Sequence, residues 1–274
     1  MVYYVGKRKI QMKSVSIASG SKGNCLYVKS ENTALLVDIG LTCSALEEKL
    51  KLISVDPKSI DAVLVTHEHI DHCKGIGVFA RKYGTKIYMH TNGYPYIMSK
   101  LGNIPQNQIV CFTGSDFFIG DITVSSFEVP HDSKFCVGYS FLSQGKKISI
   151  VTDIGKMSKA ILGKLEGSDI LYIEANHDER MLLNNEKYSA ALKNRILSPR
   201  GHMSNTECGL ALSYLVHTGV KQAVLSHLSE ENNTPLLAYT TVKRVLKENG
   251  IIEGQHICVD VSLQNEIGTT FEVQ

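Results

Sequence analysis

Val63-Leu64-Val65-Thr66-His67-Glu68-His69-Ile70-Asp71-His72-Cys73-Lys74-Gly75 is the stretch that decides how this chain folds. The run leading into it, Asp61-Ala62-Val63-Leu64-Val65, is apolar and β-branched, the pattern of a buried strand. Directly behind it, His67, His69, Asp71 and His72 crowd together. Imidazole and carboxylate at that density are donors for borderline divalent cations such as zinc and manganese. A polar turn whose histidines cap a helix is the plainer reading. His-x-His-x-Asp-His after an apolar strand, however, rarely arises without a metal.

Working outward, three more apolar runs end on a residue of the same chemistry. Residues 124–129 lead into Pro130-His131-Asp132, 149–152 into Asp153, and 223–226 into His227. Further strands are expected at 14–18, 25–28, 34–38, 86–89, 109–112, 117–119, 137–142 and 170–174, with 256–263 the last. Helices are expected at 42–52, 76–83, 94–101, 158–165, around 188–197, from the capping box Ser204-Asn205-Thr206-Glu207 to Gly219, and at 236–248. Periodicity alone therefore gives an α/β chain without linker or repeat, read as one domain over 13–274. Residues 1–12 show little periodicity and read as a flexible extension.

Composition narrows the class. With 274 residues and 43% hydrophobic content the chain has material for a large core. A net charge of +2 is too mild to argue for nucleic-acid binding by itself. No apolar run reaches membrane-spanning length, so no membrane partner is expected. Lys7-Arg8-Lys9 is not followed by the apolar core of a secretory signal. The seven cysteines lack C-x-x-C spacing and read as reduced thiols of a cytoplasmic protein.

Thr66 to His72 resembles the signature of the metallo-β-lactamase superfamily, whose hydrolases hold two metals at the edge of a four-layer αβ/βα sandwich. The resemblance implies that fold here. By the same resemblance, His67, His69 and His131 would hold one cation, and Asp71, His72 and His227 the other. Asp153 would bridge them, opposite a shared hydroxide activated by both charges. Asp38 resembles the superfamily's early aspartate, which supports loops and binds no metal. Asp132 is a departure, since many relatives carry a different neighbour there. Glu68 either points away or orients an imidazole. Cys73 abuts the ligands but reads as a buried thiol.

Residues 18–24 and 65–69, Glu174-Ala175-Asn176-His177-Asp178, Gly201-His202-Met203-Ser204-Asn205 and Leu225-Ser226-His227-Leu228-Ser229 together resemble the bacterial YycJ/WalJ-type family. That family is associated with 5′-to-3′ exonuclease action on DNA. The resemblance implies phosphodiester hydrolysis with two ions of zinc, manganese or iron, DNA as partner, and Asp71 and His202 as catalytic residues. His202 precedes a capped helix, where it can meet a phosphate oxygen and protonate a leaving alkoxide. His177, Ser21, Asn24 and Arg200 are candidate substrate contacts. Loop 19–24 lacks the P-loop pattern and is either a backbone nest for phosphate or a plain turn. Segment 180–200 carries Arg180, Lys187, Lys193, Arg195 and Arg200, either a phosphate-facing strip or a solvated face.

Other functions compete. A two-metal hydrolase of a small phosphodiester or thioester would use the same ligands. A di-iron redox protein would place a carboxylate within the histidine motif, which this chain does not. A non-catalytic module would have no need of the full ligand set. The sequence leaves the physiological metal and the oligomeric state open.

Overall fold

The computed structural model describes residues 11–274. Strands β1 (Met12–Ala18), β2 (Cys25–Ser30) and β3 (Ala34–Val37) form an antiparallel meander. β3 then begins a parallel series with β4 (Ala62–Leu64), β5 (Lys86–His90) and β6 (Ile109–Phe112). The same design recurs. β7 (Phe117–Ile119), β8 (Ile122–Glu128), β9 (Val137–Ser143) and β10 (Lys146–Val151) form a meander, and β10 begins a parallel series with β11 (Ile170–Glu174), β12 (Gln222–Ser226) and β13 (Cys258–Val261). β14 (Thr270–Val273) returns antiparallel to β1, and the described residues thus form two sheets of seven strands.

Parallel neighbours need crossovers, and helices supply them. In the first half these are α1 (Cys43–Leu52), α2 (Ile70–Cys73), α3 (Ile76–Tyr83) and α4 (Tyr94–Leu101). In the second they are α5 (Lys159–Leu165), α6 (Glu179–Asn184), α7 (Ala190–Ile196), α8 (Asn205–Val216) and α9 (Pro235–Glu248).

Period-2 alternation sorts the side chains into layers. In β3, Leu35 and Val37 join a core shared with Tyr139, Phe141 and Tyr172 of the other sheet. Leu36, between them, joins the core built with Leu46, Leu50 and Phe79 of the helices. A third core lies between the second sheet and α5, α8 and α9, around Leu165, Leu212 and Val242. These three apolar interfaces separate the four layers of an αβ/βα sandwich, as expected. Tyr139 donates to Val65 O at 2.6 Å and Tyr172 to Ser14 Oγ at 3.0 Å, so both buried hydroxyls are satisfied across the sandwich.

Several boundaries differ from expectation. Met12, assigned to the N-terminal extension, is the first residue of β1 and fully buried. Residues 1–10 of that extension lie outside the described residues. The expected last strand shrinks to β13 and is followed by β14, a short edge strand with little buried surface to mark it. α2 and α6 are too short for a helical period to show.

Candidate metal centre and active site

Ligand-bearing residues in open α/β sheets gather beyond the carboxyl ends of the parallel strands. Here Asp38 follows β3, the His67–His72 cluster follows β4, Asp153 follows β10, Glu174 ends β11 and His227 follows β12. Asp38, Asp153 and His227 all have left-handed backbone, with φ of 58°, 56° and 56°. That conformation costs an L-residue roughly 1–2 kcal/mol. It occurs where each chain turns off its strand to carry a side chain to the rim.

The side chains converge. The ring centroids of His67 lie 4.6, 4.2 and 5.1 Å from those of His69, His72 and His131. Asp153 reaches three imidazoles: Oδ2 is 3.3 Å from His72 Nε2, and Oδ1 is 3.6 Å from both His131 Nε2 and His227 Nε2. Asp71 Oδ2 lies 3.5 Å from His72 Nε2 and 3.7 Å from His227 Nε2. Donor atoms of His67, His69 and His131 fall within 4.8 Å of one another, and so do those of Asp71, His72 and His227.

Two buried carboxylates hold this array. Asp38 accepts from Thr66 N (2.8 Å) and Thr66 Oγ1 (2.7 Å) and lies 2.8 Å from His72 Nδ1, which leaves Nε2 facing the centre. Glu174 Oε1 sits 2.7 Å from His227 Nδ1 and 2.9 Å from His202 Nδ1, while Oε2 accepts from Ile154 N (2.9 Å) and Met203 N (3.0 Å). The sequence marks Glu174 as a strand end within the YycJ/WalJ-type resemblance but gives no sign of its bracing role, since its partners come from segments 20 to 53 residues away.

The residues fit a pair of divalent cations. His67 Nε2, Asp153 Oδ2 and His227 Nε2 are buried without a hydrogen-bond partner, an arrangement costly unless something binds there. Burial and the neighbouring His72 drive the His67 pKa well down. His72 goes the other way: burial opposes its charge, but Asp153, Asp71 and Asp38 raise its pKa well above the usual value. Against the same penalty of burial, Asp153, Asp71 and Glu174 push His227 up to about 10. Asp153 itself is held well below the carboxylate range, the imidazoles of His227, His72 and His67 outweighing its burial. Carboxylates stay ionised here, and cations would displace protons from His72 and His227.

Residues 33–228 match the Beta-lactamase superfamily domain. The chain belongs to this superfamily. It is 38% identical over 240 residues to the exodeoxyribonuclease YycJ of Bacillus anthracis, covering 87% of this chain and 90% of that protein. It is 37% identical over 243 residues to the exodeoxyribonuclease WalJ of Streptococcus pneumoniae, covering 88% and 90%. Among solved structures, the metallo-β-lactamase fold protein YhfI from Bacillus subtilis superposes with a TM-score of 0.71 at 20% identity, covering 97% of this chain and all of that one (100%).

As a member of the superfamily, the chain is a metal-dependent hydrolase, and a cleft of about 240 Å³ opens over its metal centre. His69, Asp71, His131, Asp153, His202 and His227 line the cleft, together with Ser21. The other expected substrate contacts do not line it. His177 is buried, 1% exposed, and its backbone pairs with Ser204 and Asn205. Asn24 is a brace: its backbone N–H donates to Asp71 O at 2.8 Å and its Nδ2 lies 3.0 Å from His72 Nε2. Arg200 donates to the carbonyls of His131 (2.8 Å) and Ser133 (3.3 Å), fixing the turn that carries His131.

In loop 19–24 the amides of Gly20, Gly23 and Asn24 are spent on Asn24 Oδ1, Gly20 O and Asp71 O. Glu68 accepts from Lys134 N at 2.8 Å and orients no imidazole. Cys73 donates to His67 O at 3.1 Å. Two cations of the basic segment are paired, Lys187 with Glu231 at 2.8 Å and Arg195 with Asp132, while Lys193 donates to Leu183 O at 2.6 Å and keeps its charge.

Proposed function

We propose that this metal-dependent hydrolase cleaves DNA phosphodiester bonds, removing nucleotides from the 5′ end. His67, His69 and His131 would hold one cation and Asp71, His72 and His227 the other, with Asp153 shared. Five imidazoles and two carboxylates suit zinc, manganese or iron. Once bound, the pair supplies an activated water and positive charge against the phosphate.

The observation that carries the reading is His202. It belongs to neither ligand set, yet its ring lies 5.2 Å from that of His131 and 5.3 Å from that of His227, on the wall of the cleft. Burial pulls this imidazole toward its neutral form, and Glu174 more than offsets that, so its pKa is raised. Glu174 remains a carboxylate, its pKa brought down to about 2 by His202 and His227 in spite of burial. Held at Nδ1, His202 presents Nε2 to substrate and can give its proton to the leaving alkoxide. Both relatives named exodeoxyribonucleases match most of this chain, which favours DNA over a small phosphodiester. The seven cysteines are free, which suits a reducing compartment, and we read the enzyme as cytoplasmic. No helix among the described residues is long and apolar enough to cross a membrane.

The test uses manganese-loaded protein with DNA labelled at either end, closed circular DNA and a chromogenic phosphodiester. The 5′ label should appear early in short products while 3′-labelled strands shorten gradually. Cleavage of closed circles at the same rate would refute end-dependence. Turnover of the small phosphodiester alone would replace DNA by a small substrate.

A further inference from the structure

Apart from Arg195, the wall of the cleft formed by α7 and the residue before its cap is apolar, and the protein itself does not use it. Leu192 and Ile196, four residues apart, share one face of α7, and with Tyr188, in the bend just before the cap residue Ser189, they line the cleft over the ligand candidates. No residue of α7 is buried, and none of the three side chains joins any of the three cores. A helix of seven residues without a buried face is not stable alone. Polar fastenings hold it instead. Ser189 caps it by accepting from Leu192 N at 3.2 Å, Arg195 pairs with Asp132, and His202 N donates to Ile196 O at 2.9 Å. Gly201 lets the backbones meet, since a Cβ there would lie 2.0 Å from Ile196 O. The helix is thus tied to the segments carrying His131 and His202, with its apolar stripe left toward the reacting centre.

Tyr188 is half-buried, yet its hydroxyl makes no hydrogen bond and its ring stacks on no other ring among the described residues. Polar residues, Ser21, Asn176 and Ser229, also line the cleft. An aromatic and aliphatic wall beside a phosphate-attracting centre matches a nucleotide: phosphate at the metals, flat base against Tyr188. We propose that the face of Tyr188, Leu192 and Ile196 receives the unstacked base of the nucleotide next to the scissile phosphate. This rests on the phosphodiesterase reading and specifies it further. The substrate is a single-stranded or frayed end, because a base paired in a duplex cannot leave its stack for the wall. Base identity matters little, since every base has a π-face and Arg195, the cation that lines this stretch of wall, is engaged by Asp132.

The decisive substrates are 5′-phosphorylated oligonucleotides that are intact or carry an abasic residue at that position. Stacking of one base corresponds to about 5- to 150-fold in affinity. Wild-type enzyme should show a KM higher by that factor on the abasic strand, with kcat changed less. Tyr188→Ala should lose the discrimination and Tyr188→Phe should keep it. The chain contains no tryptophan, so Tyr188→Trp adds a single reporter of stacking that works without turnover. Its emission should be quenched by the intact oligonucleotide and not by the abasic one. Equal KM on both strands for wild type, undiminished discrimination in Tyr188→Ala, or equal quenching by both strands would overturn the proposal. If wild type cleaves no polynucleotide at all, the parent reading fails and this one with it.

Discussion

Glu174→Gln removes one charge and tests the brace behind the centre. Glu174 is fully buried, 0% exposed, and both oxygens accept more than one N–H. An amide cannot reproduce this in either orientation. With its oxygen toward His202 and His227, its NH₂ faces the amides of Ile154 and Met203, which stood 2.9 and 3.0 Å from Oε2. Each buried donor left unpaired costs about 1–3 kcal/mol, so the loss should be about 2–6 kcal/mol, large against a typical total of about 5–15. Reversed, the NH₂ meets the two Nδ1 atoms, which must then accept, moving the His227 proton to the Nε2 that faces Asp71 and Asp153. The substitution also removes the charge that raises the His202 pKa. A group with a raised pKa serves as an acid below that pKa and stops as pH rises through it, so the alkaline limb of the rate profile should move to lower pH. Urea denaturation of metal-free protein and a pH–rate profile of the loaded enzyme measure the two effects. Wild-type stability with an unmoved alkaline limb would refute the reasoning.

His202→Ala should keep both metals and lower kcat about 10²–10⁴-fold with little change in KM; an unchanged rate would return His202 to the status of a loop residue. Metal uptake should release protons, because His72 and His227 have raised pKa values in the metal-free protein, and affinity should climb with pH up to the His227 value of about 10. Calorimetry in buffers of differing ionisation enthalpy reads this directly, and uptake without proton release would contradict it. Asp153→Ala, which removes the carboxylate facing three imidazoles, should lose metal and activity together in metal analysis and assay. Gly201→Ala should destabilise by about 1–3 kcal/mol in thermal melts and lower kcat, since the new methyl group forces the His202 segment away from α7.

That the histidine cluster, His131, Asp153 and His227 come together was legible because donor-bearing residues follow closely on apolar runs. The alternation that sorts Leu35 and Val37 from Leu36 is equally a local pattern. Glu174 was not legible as a brace, because its five N–H neighbours come from segments up to 53 residues away. His177 and Arg200 misled for the opposite reason. Their neighbours in sequence touch the site, but the His177 imidazole is buried and two carbonyls capture the Arg200 guanidinium. That α7 lines the cleft was hidden too, since an amphipathic stripe reads the same whether it meets a core or a cleft.

Blocking one end of a linear strand tests the central claim most directly. Manganese-loaded enzyme should leave DNA intact when streptavidin is fixed to a biotin on its 5′ end, and should digest the same DNA when the block is at the 3′ end. Protection by the 3′ block alone, or digestion regardless of either block, would contradict a metal-dependent hydrolase working inward from the 5′ end.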